Sequence, residues 1–181
     1  MPRIAVIDFE TTGLSPGQGD RATEVAIVMV EGGEVVGRFQ SLMNAGVRIS
    51  AFIESFTGIS NAMVAHNASF DRRYWTAELA RAGLPAPQPF ACTVLLSRRL
   101  YPEAPSHRLG AMAAFHRLPS AGRAHRALAD AEVAAALLAR IQADLCARFD
   151  LLDAQHALLM KVQACQRHAV AGVVKKHLLA T

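Results

Sequence analysis

The sequence predicts an α/β layer fold with a mixed sheet. Extended apolar segments come early in the chain, segments with helical periodicity dominate its second half, and the middle alternates between the two. A turn signal, Glu-Gly-Gly at 31–33, joins two of the early segments directly, which favours antiparallel neighbours. We therefore expect an antiparallel group of strands first, followed by strands that are connected through helices.

Five strands are predicted, and the first three form an antiparallel meander. The first is a continuous apolar run, typical of a strand buried on both faces, with two carboxylates at its C-terminal end. The later strands are short, apolar and flanked by turn residues. The predicted ranges are 3–10, 21–30, 34–43, 63–66 and 90–92.

Helices are predicted where apolar residues recur at intervals of three or four. Gly83 ends the middle helix, and the prolines of segment 84–89 exclude a regular helix or central strand there. A long late helix precedes an apolar but less regular helical stretch. The predicted ranges are 50–56, 68–82, 93–100, 108–116, 127–149 and 152–177.

The composition favours a single core and a polyanionic partner. The chain has 181 residues, a net charge of +4 and a pI near 9.3. It has no apolar stretch of membrane-spanning length, and Met-Pro-Arg-Ile leads straight into the first strand without a signal peptide. Its three widely spaced cysteines fit reduced thiols. We therefore expect a cytoplasmic protein with no membrane partner.

The two carboxylates of the first strand, Asp8 and Glu10, are the strongest functional signal. Side chains alternate along a strand, so both acids share a face with Ile4 and Val6. Two like charges at the edge of an apolar interior repel each other unless a cation lies between them. The pattern indicates a divalent metal, whose other ligands must come from elsewhere in the chain.

Two further acids, Asp71 and Asp130, begin the apolar stripes of two predicted helices. Asp71 lies one turn before Trp75, and Asp130 lies one turn before the first of several apolar residues at helical spacing. Buried aspartates are costly without a partner, so convergence on Asp8 and Glu10 around metal ions would explain both. The alternative is that each acid complements the dipole of its own helix.

His125 lies five residues before Asp130. Positions five apart diverge by about 140 degrees around a continuous helix, which favours a place for His125 in the preceding loop. From there its imidazole could reach the same cavity and act as a general base for water.

Three segments together resemble the motifs of a known family. They are Asp8-Phe9-Glu10-Thr11-Thr12-Gly13-Leu14, His66-Asn67-Ala68-Ser69-Phe70-Asp71 and His125-Arg126-Ala127-Leu128-Ala129-Asp130. Their order and residue patterns are similar to the three motifs of the DEDDh 3′–5′ exonucleases, especially the epsilon (proofreading) subunit of bacterial DNA polymerase III and its stand-alone relatives. The resemblance covers residues 3–145. One Asp-x-Glu alone would be weak, but three ordered motifs are specific.

The resemblance implies a ribonuclease H-like fold and a two-metal hydrolase that releases nucleoside 5′-monophosphates from DNA 3′ ends during proofreading or repair. By this analogy Asp8 would bridge two Mg²⁺ or Mn²⁺ ions. Glu10 and Asp130 would hold the ion that carries the attacking water, and Asp71 would serve the second ion. His125 would accept the proton of that water. Carboxylate ligands suit these hard cations.

Three more positions, Thr12, Leu14 and Asn67, match family residues near the terminal nucleotide. The alternatives are turn chemistry for Thr12, a core position for Leu14 and helix capping for Asn67. Single-stranded or frayed DNA 3′ ends are the expected partner. RNA is the alternative, because discrimination of the 2′-hydroxyl depends on the shape of the pocket.

The chain departs from the family before the second motif. Family members usually place a helix and a full strand between that motif and a segment that corresponds to 57–60, whereas only residues 61–65 are available here. Either the protein is shorter at this point or the sequence lacks a stretch. Lost sheet material would threaten the placement of Asp71, because metal sites tolerate little positional error. A non-catalytic interaction module is therefore a rival function.

Two parts of the chain are expected: an exonuclease domain over 1–149 and a helical C-terminal extension over 150–181. The extension has an apolar but irregular helical pattern. It could pack on the domain, form a homodimer contact or dock on a DNA polymerase.

Overall fold

The computed structural model describes residues 3–43, 62–119 and 126–180. Within these residues, five strands form one sheet with the order β3-β2-β1-β4-β5. The strands are β1 (Ile4–Thr11), β2 (Ala22–Glu31), β3 (Glu34–Leu42), β4 (Met63–Ala65) and β5 (Phe90–Cys92). All five predicted strands are confirmed, and no end differs from its prediction by more than one residue.

The sheet is mixed, as predicted. β1 pairs antiparallel with β2, and β2 pairs antiparallel with β3. Gly32 and Gly33 in the β2–β3 turn have φ angles of +60° and +85°, the combination that a type I′ hairpin requires. On its other side β1 pairs parallel with β4, and β4 pairs parallel with β5. The C-terminal ends of β1, β4 and β5 therefore meet at one edge of the sheet.

The described residues contain six α-helices. They are α1 (Ala68–Arg81), α2 (Thr93–Leu100), α3 (Leu109–His116), α4 (Ala127–Phe149), α5 (His156–Ala164) and α6 (Val170–Leu178). The predicted bounds of α2 and α4 are confirmed, and those of α1 and α3 differ by one residue. The helix predicted at 50–56 lies outside the described residues. None of the described helices has the length and apolar character needed to cross a lipid bilayer.

Helices cover both faces of the sheet. Because side chains alternate along each strand, each face has its own hydrophobic core. Ile4 and Val6 of β1 belong to a core shared with α4, whereas Ala5 belongs to a second core shared with α1. Alternation therefore places Asp8 and Glu10 on the α4 face. Helix α4 packs against that face through the fully buried stripe that its spacing predicts: Ala134, Leu137, Ile141 and Leu145.

The prediction of one helix over 152–177 is wrong. The stretch contains α5, a 3₁₀ turn at Arg167–Ala169 and α6, with extended backbone at Cys165 and Gln166. A long-range contact supports the break, since the Cys165 carbonyl accepts a hydrogen bond from the Arg99 side chain at 3.1 Å. Each helix then buries its own short stripe, composed of Leu158, Leu159 and Val162 in α5 and of Val170 and Val174 in α6.

Helix α5 packs on the outer side of β5. The Gln163 side chain donates to the Phe90 carbonyl at 3.1 Å and accepts the Cys92 N–H at 2.6 Å. The His156 ring donates from Nε2 to the Met63 carbonyl at 2.9 Å. These contacts attach the C-terminal helices to the sheet of the same chain.

Candidate active site

Three carboxylates meet at the C-terminal end of β1. One carboxylate oxygen from each of Asp8, Glu10 and Asp130 lies within 4.8 Å of the other two. Asp8 and Glu10 are on β1, and Asp130 is in the first turn of α4. This is the convergence that strand alternation and the helical stripe predict. All three residues are only partly buried, so solvent can reach the cluster.

An ion pair attaches the start of α4 to β2. Arg126 immediately precedes α4, and its guanidinium donates to Glu24 Oε1 at 3.3 Å. Glu24 lies opposite Glu10 in the β1–β2 ladder and also accepts a hydrogen bond from the Gln40 amide. The Asp130 N–H donates to the Arg126 carbonyl at 3.0 Å. The pair thus fixes the first turn of α4 beside the end of β1.

Asp71 approaches the cluster from α1, on the opposite face of the sheet. It lies in the first turn of α1, is 2% exposed, and accepts the backbone N–H of Phe9 and its own N–H. The Phe9 N–H is available because the pairing of β1 with β4 covers only Ala5 and Val6. Asp71 therefore lies next to Asp8, although it is not one of the three carboxylates within 4.8 Å of one another.

Burial and like charges oppose full ionisation of the cluster. The pKa of Asp8 is raised from 3.8 to about 9, first by burial and then by the neighbouring charges of Asp71, Asp130, Glu10 and Glu24. Burial also raises the pKa of Asp71 to about 7, although hydrogen bonds from two backbone N–H groups act in the opposite direction. A cation among these carboxylates would favour their ionised forms.

The donor set fits a hard divalent cation. Its donors are carboxylate oxygens, which Mg²⁺ and Mn²⁺ prefer, and it contains none of the softer thiolate or imidazole ligands that suit zinc. In the part of the chain that the structure describes, it is the only group of three or more His, Cys, Asp or Glu side chains with ligand atoms this close. The observed acids therefore suit the cations that the sequence predicts.

Thr12 and Leu14 lie in the loop that follows β1. The Thr12 hydroxyl accepts the Arg21 N–H at 3.0 Å, so the turn chemistry considered for Thr12 is present. The core alternative for Leu14 is wrong, because 71% of this residue is exposed. A large apolar side chain in solvent, four residues beyond Glu10, is available to contact a ligand.

Asn67 immediately precedes α1, but the capping alternative is wrong, because its side chain makes no capping hydrogen bond. Its backbone has a φ of +70°, a left-handed conformation that asparagine tolerates. The neighbouring His66 has its Nδ1 at 2.9 Å from the Thr93 hydroxyl, and burial lowers its pKa to about 4. A neutral ring that is hydrogen-bonded to Thr93 indicates a structural role for His66.

His125 lies outside the described residues. Helix α4 begins at Ala127, as predicted. The place of His125 before this helix and its catalytic role stay predictions.

Sequence reasoning missed three buried polar residues near the site: Glu24, Tyr74 and Glu78. They are 4%, 0% and 3% exposed, respectively. In each case the strand or helix periodicity predicts a buried position, and the sequence places a polar side chain there. Scoring polar residues on the predicted buried faces would have identified all three.

A mixed five-stranded sheet with this acidic cluster at the end of its first strand defines the class of ribonuclease H-like exonucleases. The Exonuclease family model (RNase_T) matches residues 5–79 and 63–138. Exonuclease X, solved in complex with 5′-overhanging duplex DNA, is 30% identical, and the match covers 86% of this chain and 98% of that one with a TM-score of 0.60. The chain therefore belongs to the DEDDh 3′–5′ exonuclease family.

Two curated relatives are much longer proteins. The 3′–5′ exonuclease DinG of Bacillus subtilis is 36% identical over 158 residues, which cover 72% of this chain and 16% of DinG. The PolC-type DNA polymerase III of Bacillus cereus is 35% identical over 164 residues, which cover 77% of this chain and 11% of the relative. The chain thus spans less than a fifth of the length of these relatives.

The DinG alignment is longer than the part of this chain that it uses. It includes 158 positions but uses 72% of the 181 residues here, about 130, so about 28 aligned positions have no residue in this chain. Within the aligned region the chain therefore has fewer residues than DinG.

A more distant structure shows the same fold. Escherichia coli exonuclease I, solved as a zinc-bound complex with single-stranded DNA, is 16% identical. It superposes with a TM-score of 0.70 over 89% of this chain and 43% of that one.

Proposed function

We propose that this protein is a metal-dependent 3′–5′ exonuclease that hydrolyses DNA phosphodiesters from the 3′ end and releases nucleoside 5′-monophosphates. The observation that carries the proposal is the cluster of Asp8, Glu10 and Asp130 with the buried Asp71 beside it. Membership of the DEDDh family supports the reaction, and the 30% identity to Exonuclease X, solved with duplex DNA, supports DNA as the substrate. The pI near 9.3 fits a polyanionic partner.

The four acids would hold two Mg²⁺ or Mn²⁺ ions. Asp8 lies close to Glu10 and Asp130 and feels the charge of Asp71, so it would be the carboxylate that both ions share. Glu10 and Asp130 would hold one ion, and Asp71 would hold the other. When bound, such ions stabilise the attacking and departing oxygens of an in-line displacement. The chain itself holds the carboxylates in position through β1, α1 and α4.

Thr12, Leu14 and Asn67 are proposed to contact the terminal nucleotide. Leu14 is exposed and could pack against the base, and the turn around Thr12 presents backbone groups beside it. Asn67 lies between β4 and the helix that carries Asp71. All three positions lie near the carboxyl ends of parallel strands, where α/β sheets commonly bind ligands.

His125 is proposed as the general base that takes the proton of the attacking water. His125→Ala should lower kcat by about 10²- to 10⁴-fold, the usual contribution of a general base. Metal binding should persist, because the carboxylates are unchanged. Single-turnover trimming of a 5′-labelled primer measures the rate, and calorimetric Mn²⁺ titration measures binding. His168→Ala, at an exposed histidine, is the matched control. Near-normal turnover of His125→Ala would remove this residue from the mechanism.

Matched DNA and RNA oligonucleotides with 5′ labels, incubated with the protein and Mn²⁺, test the substrate. We expect a ladder of shortened DNA and slower trimming of RNA. DNA labelled at its 3′ end should release the label at once as a mononucleotide, which establishes the direction. The Asp8→Asn variant controls for a contaminating nuclease. Faster trimming of RNA would indicate an RNA exonuclease, and no trimming beyond the control would indicate a non-catalytic interaction module.

We further propose that residues 1–149 form the exonuclease domain and 150–181 an extension packed on it. The hydrogen bonds of His156 and Gln163 to the sheet support this packing. The relationship to PolC-type polymerases supports a contact with a DNA polymerase, with self-association as the alternative outcome of a pull-down and a sedimentation experiment. The three free cysteines support a reducing, cytoplasmic location.

A further inference from the structure

The loop between β1 and β2, residues 12–21, is attached to helix α1 at several points. The Tyr74 hydroxyl donates to the Gly13 carbonyl at 2.7 Å, and the Arg81 guanidinium donates to the Pro16 carbonyl at 3.3 Å. Glu78 accepts two hydrogen bonds from the Arg21 guanidinium, at 3.0 and 2.9 Å. Three successive turns of α1 therefore hold the start, the middle and the end of the loop.

The loop is also ordered from within. Asp20 accepts the Ser15 N–H at 2.9 Å, and the Thr11 hydroxyl donates to the Gly13 carbonyl at 2.7 Å. The Asp20 carboxylate lies so close to Gly13 that a Cβ at this position would be 2.4 Å from Oδ2. A larger residue at this position would therefore displace the Asp20 carboxylate, which accepts the Ser15 N–H.

Within this fixed loop, Leu14 points into solvent. It is 71% exposed, although both of its neighbours are held: Gly13 by Tyr74, and Ser15 by Asp20. An exposed leucine on a mobile loop would lose rotational and backbone freedom on binding a ligand. On a loop whose backbone is already ordered, the backbone part of that entropic cost is absent.

Helix α1 connects this loop to the metal cluster. Tyr74 lies three residues after Asp71, and residues three apart lie on the same side of a helix. The Tyr74 ring is fully buried, with its centroid 6.4 Å from that of Phe9 and 5.1 Å from that of Phe70. The same helix turn therefore positions a proposed metal ligand and, through one hydroxyl, the backbone beside Leu14.

We propose that Tyr74 is a positioning residue for substrate binding: its hydroxyl fixes the Gly13 carbonyl and so sets Leu14 for the 3′-terminal nucleotide. The inference rests on the proposed exonuclease function and adds a residue that touches neither the metals nor the substrate. It assigns the hydroxyl to binding rather than to the chemical step, because the ring packs on Phe9 and Phe70 without the hydroxyl and, among the described residues, the hydroxyl contacts only the loop backbone.

The test is Tyr74→Phe, which removes one oxygen and keeps the ring. We expect KM for a 5′-labelled DNA oligonucleotide to rise about 3- to 10-fold, the effect of one net hydrogen bond. The kcat value and the Mn²⁺ concentration for half-maximal rate should stay within about twofold of wild type, since Asp71 is undisturbed. Steady-state kinetics over a range of DNA and of Mn²⁺ concentrations provide all three values.

Tyr101→Phe is the matched control. Tyr101 is the other tyrosine of the chain, is 3% exposed, and donates its hydroxyl to Asp144 on α4 at 2.8 Å. Its loss should lower thermal stability to a similar degree without changing KM.

Three results would contradict the inference. An unchanged KM in Tyr74→Phe would show that the hydroxyl does not position the loop. A fall in kcat together with a higher Mn²⁺ requirement would show that it supports Asp71 instead. An equal rise of KM in Tyr101→Phe would show that the effect is general destabilisation. Failure of the proposed function looks different, because wild-type protein would then trim no DNA at any Mn²⁺ concentration.

Discussion

Buried acids beside this sheet fall into two pairs, and the first pair is neutralised by arginine. Glu24 accepts a hydrogen bond from Arg126, and Glu78 accepts hydrogen bonds from Arg21 and Arg81. Burial acts to raise the pKa of both glutamates, but the hydrogen bonds outweigh it and the pKa of each is lowered. Both carboxylates are therefore kept ionised by groups of the protein itself.

The second pair, Asp8 and Asp71, lacks this neutralisation. Across the described ranges 3–43, 62–119 and 126–180, neither aspartate forms an ion pair with lysine or arginine, and the pKa of each is raised. Arginines thus neutralise the buried Glu24 and Glu78, whereas no described lysine or arginine pairs with the partly buried Asp8 or with Asp71. This difference supports the proposed metal site, because bound cations would supply the counter-charge that no described lysine or arginine gives to Asp8 and Asp71.

The largest effect expected from this contrast is the loss of activity in Asp8→Asn. Removing the carboxylate that is proposed to bridge two cations should lower kcat for DNA by at least about 10²- to 10³-fold, in the range of other electrostatic stabilisers of a transition state. In EDTA the same variant should melt at a higher temperature than wild type, because a poorly neutralised buried acid has been removed. Primer trimming and differential scanning fluorimetry measure the two effects.

The matched control for that experiment is Asp150→Asn, the same chemical change at an exposed position with a left-handed backbone that asparagine accepts. It should alter neither activity nor melting. An Asp8→Asn variant that melts below wild type in EDTA would contradict the view that this acid lacks a counter-charge.

A second, intermediate effect is the pH dependence of the metal-free protein. Asp8 and Asp71 retain their protons up to about pH 9 and 7 in the folded chain, whereas in the unfolded chain they lose them near pH 3.8. Between these limits the unfolded chain binds fewer protons, so the free energy of unfolding falls as pH rises. The melting temperature in EDTA should therefore be lower at pH 8.5 than at pH 6.

Magnesium should reverse this trend. Cation binding requires ionised carboxylates, so Mg²⁺ should raise the melting temperature more at pH 8.5 than at pH 6. The Asp8→Asn/Asp71→Asn double variant should show a flatter pH profile in EDTA and little response to Mg²⁺. A wild-type melting temperature that rises with pH in EDTA would contradict the raised pKa values.

The smallest effect concerns the neutralised pair. Glu78→Gln removes the charge that Arg21 and Arg81 share, and should lower the free energy of unfolding by about 1–3 kcal/mol, the cost of leaving buried hydrogen-bonding groups unsatisfied. Glu132→Gln is the control, because its pair with Arg38 is largely exposed and should change stability by less than about 1 kcal/mol. Urea denaturation measures both. Equal effects would mean that Glu78 stabilises no more than a surface acid.

Features with a local pattern were predictable from the sequence. Strand alternation placed Asp8 and Glu10 together, and helical spacing placed Asp130 on the buried stripe of α4. Contacts between distant residues carry no local pattern. The Arg21–Glu78 pair joins residues 57 positions apart, and the break at Cys165 depends on Arg99, 66 positions away. The burial of Leu14 was ambiguous, because an apolar residue in a short loop can be either buried in the core or exposed to solvent.

The two edges of the sheet differ in a way that affects how the protein behaves at high concentration. Beyond β5, the side-chain amide of Gln163 occupies the outward-facing carbonyl of Phe90 and the N–H of Cys92. The Gln163 side chain thus satisfies backbone groups that a neighbouring strand would otherwise pair with, which protects this edge from pairing with a second molecule. At the opposite edge, β3 pairs only with β2 among the described strands and exposes Val36. Of the two edges in the described sheet, β3 is therefore the one open to pairing with a second molecule, and a charged residue at Val36 would oppose such pairing.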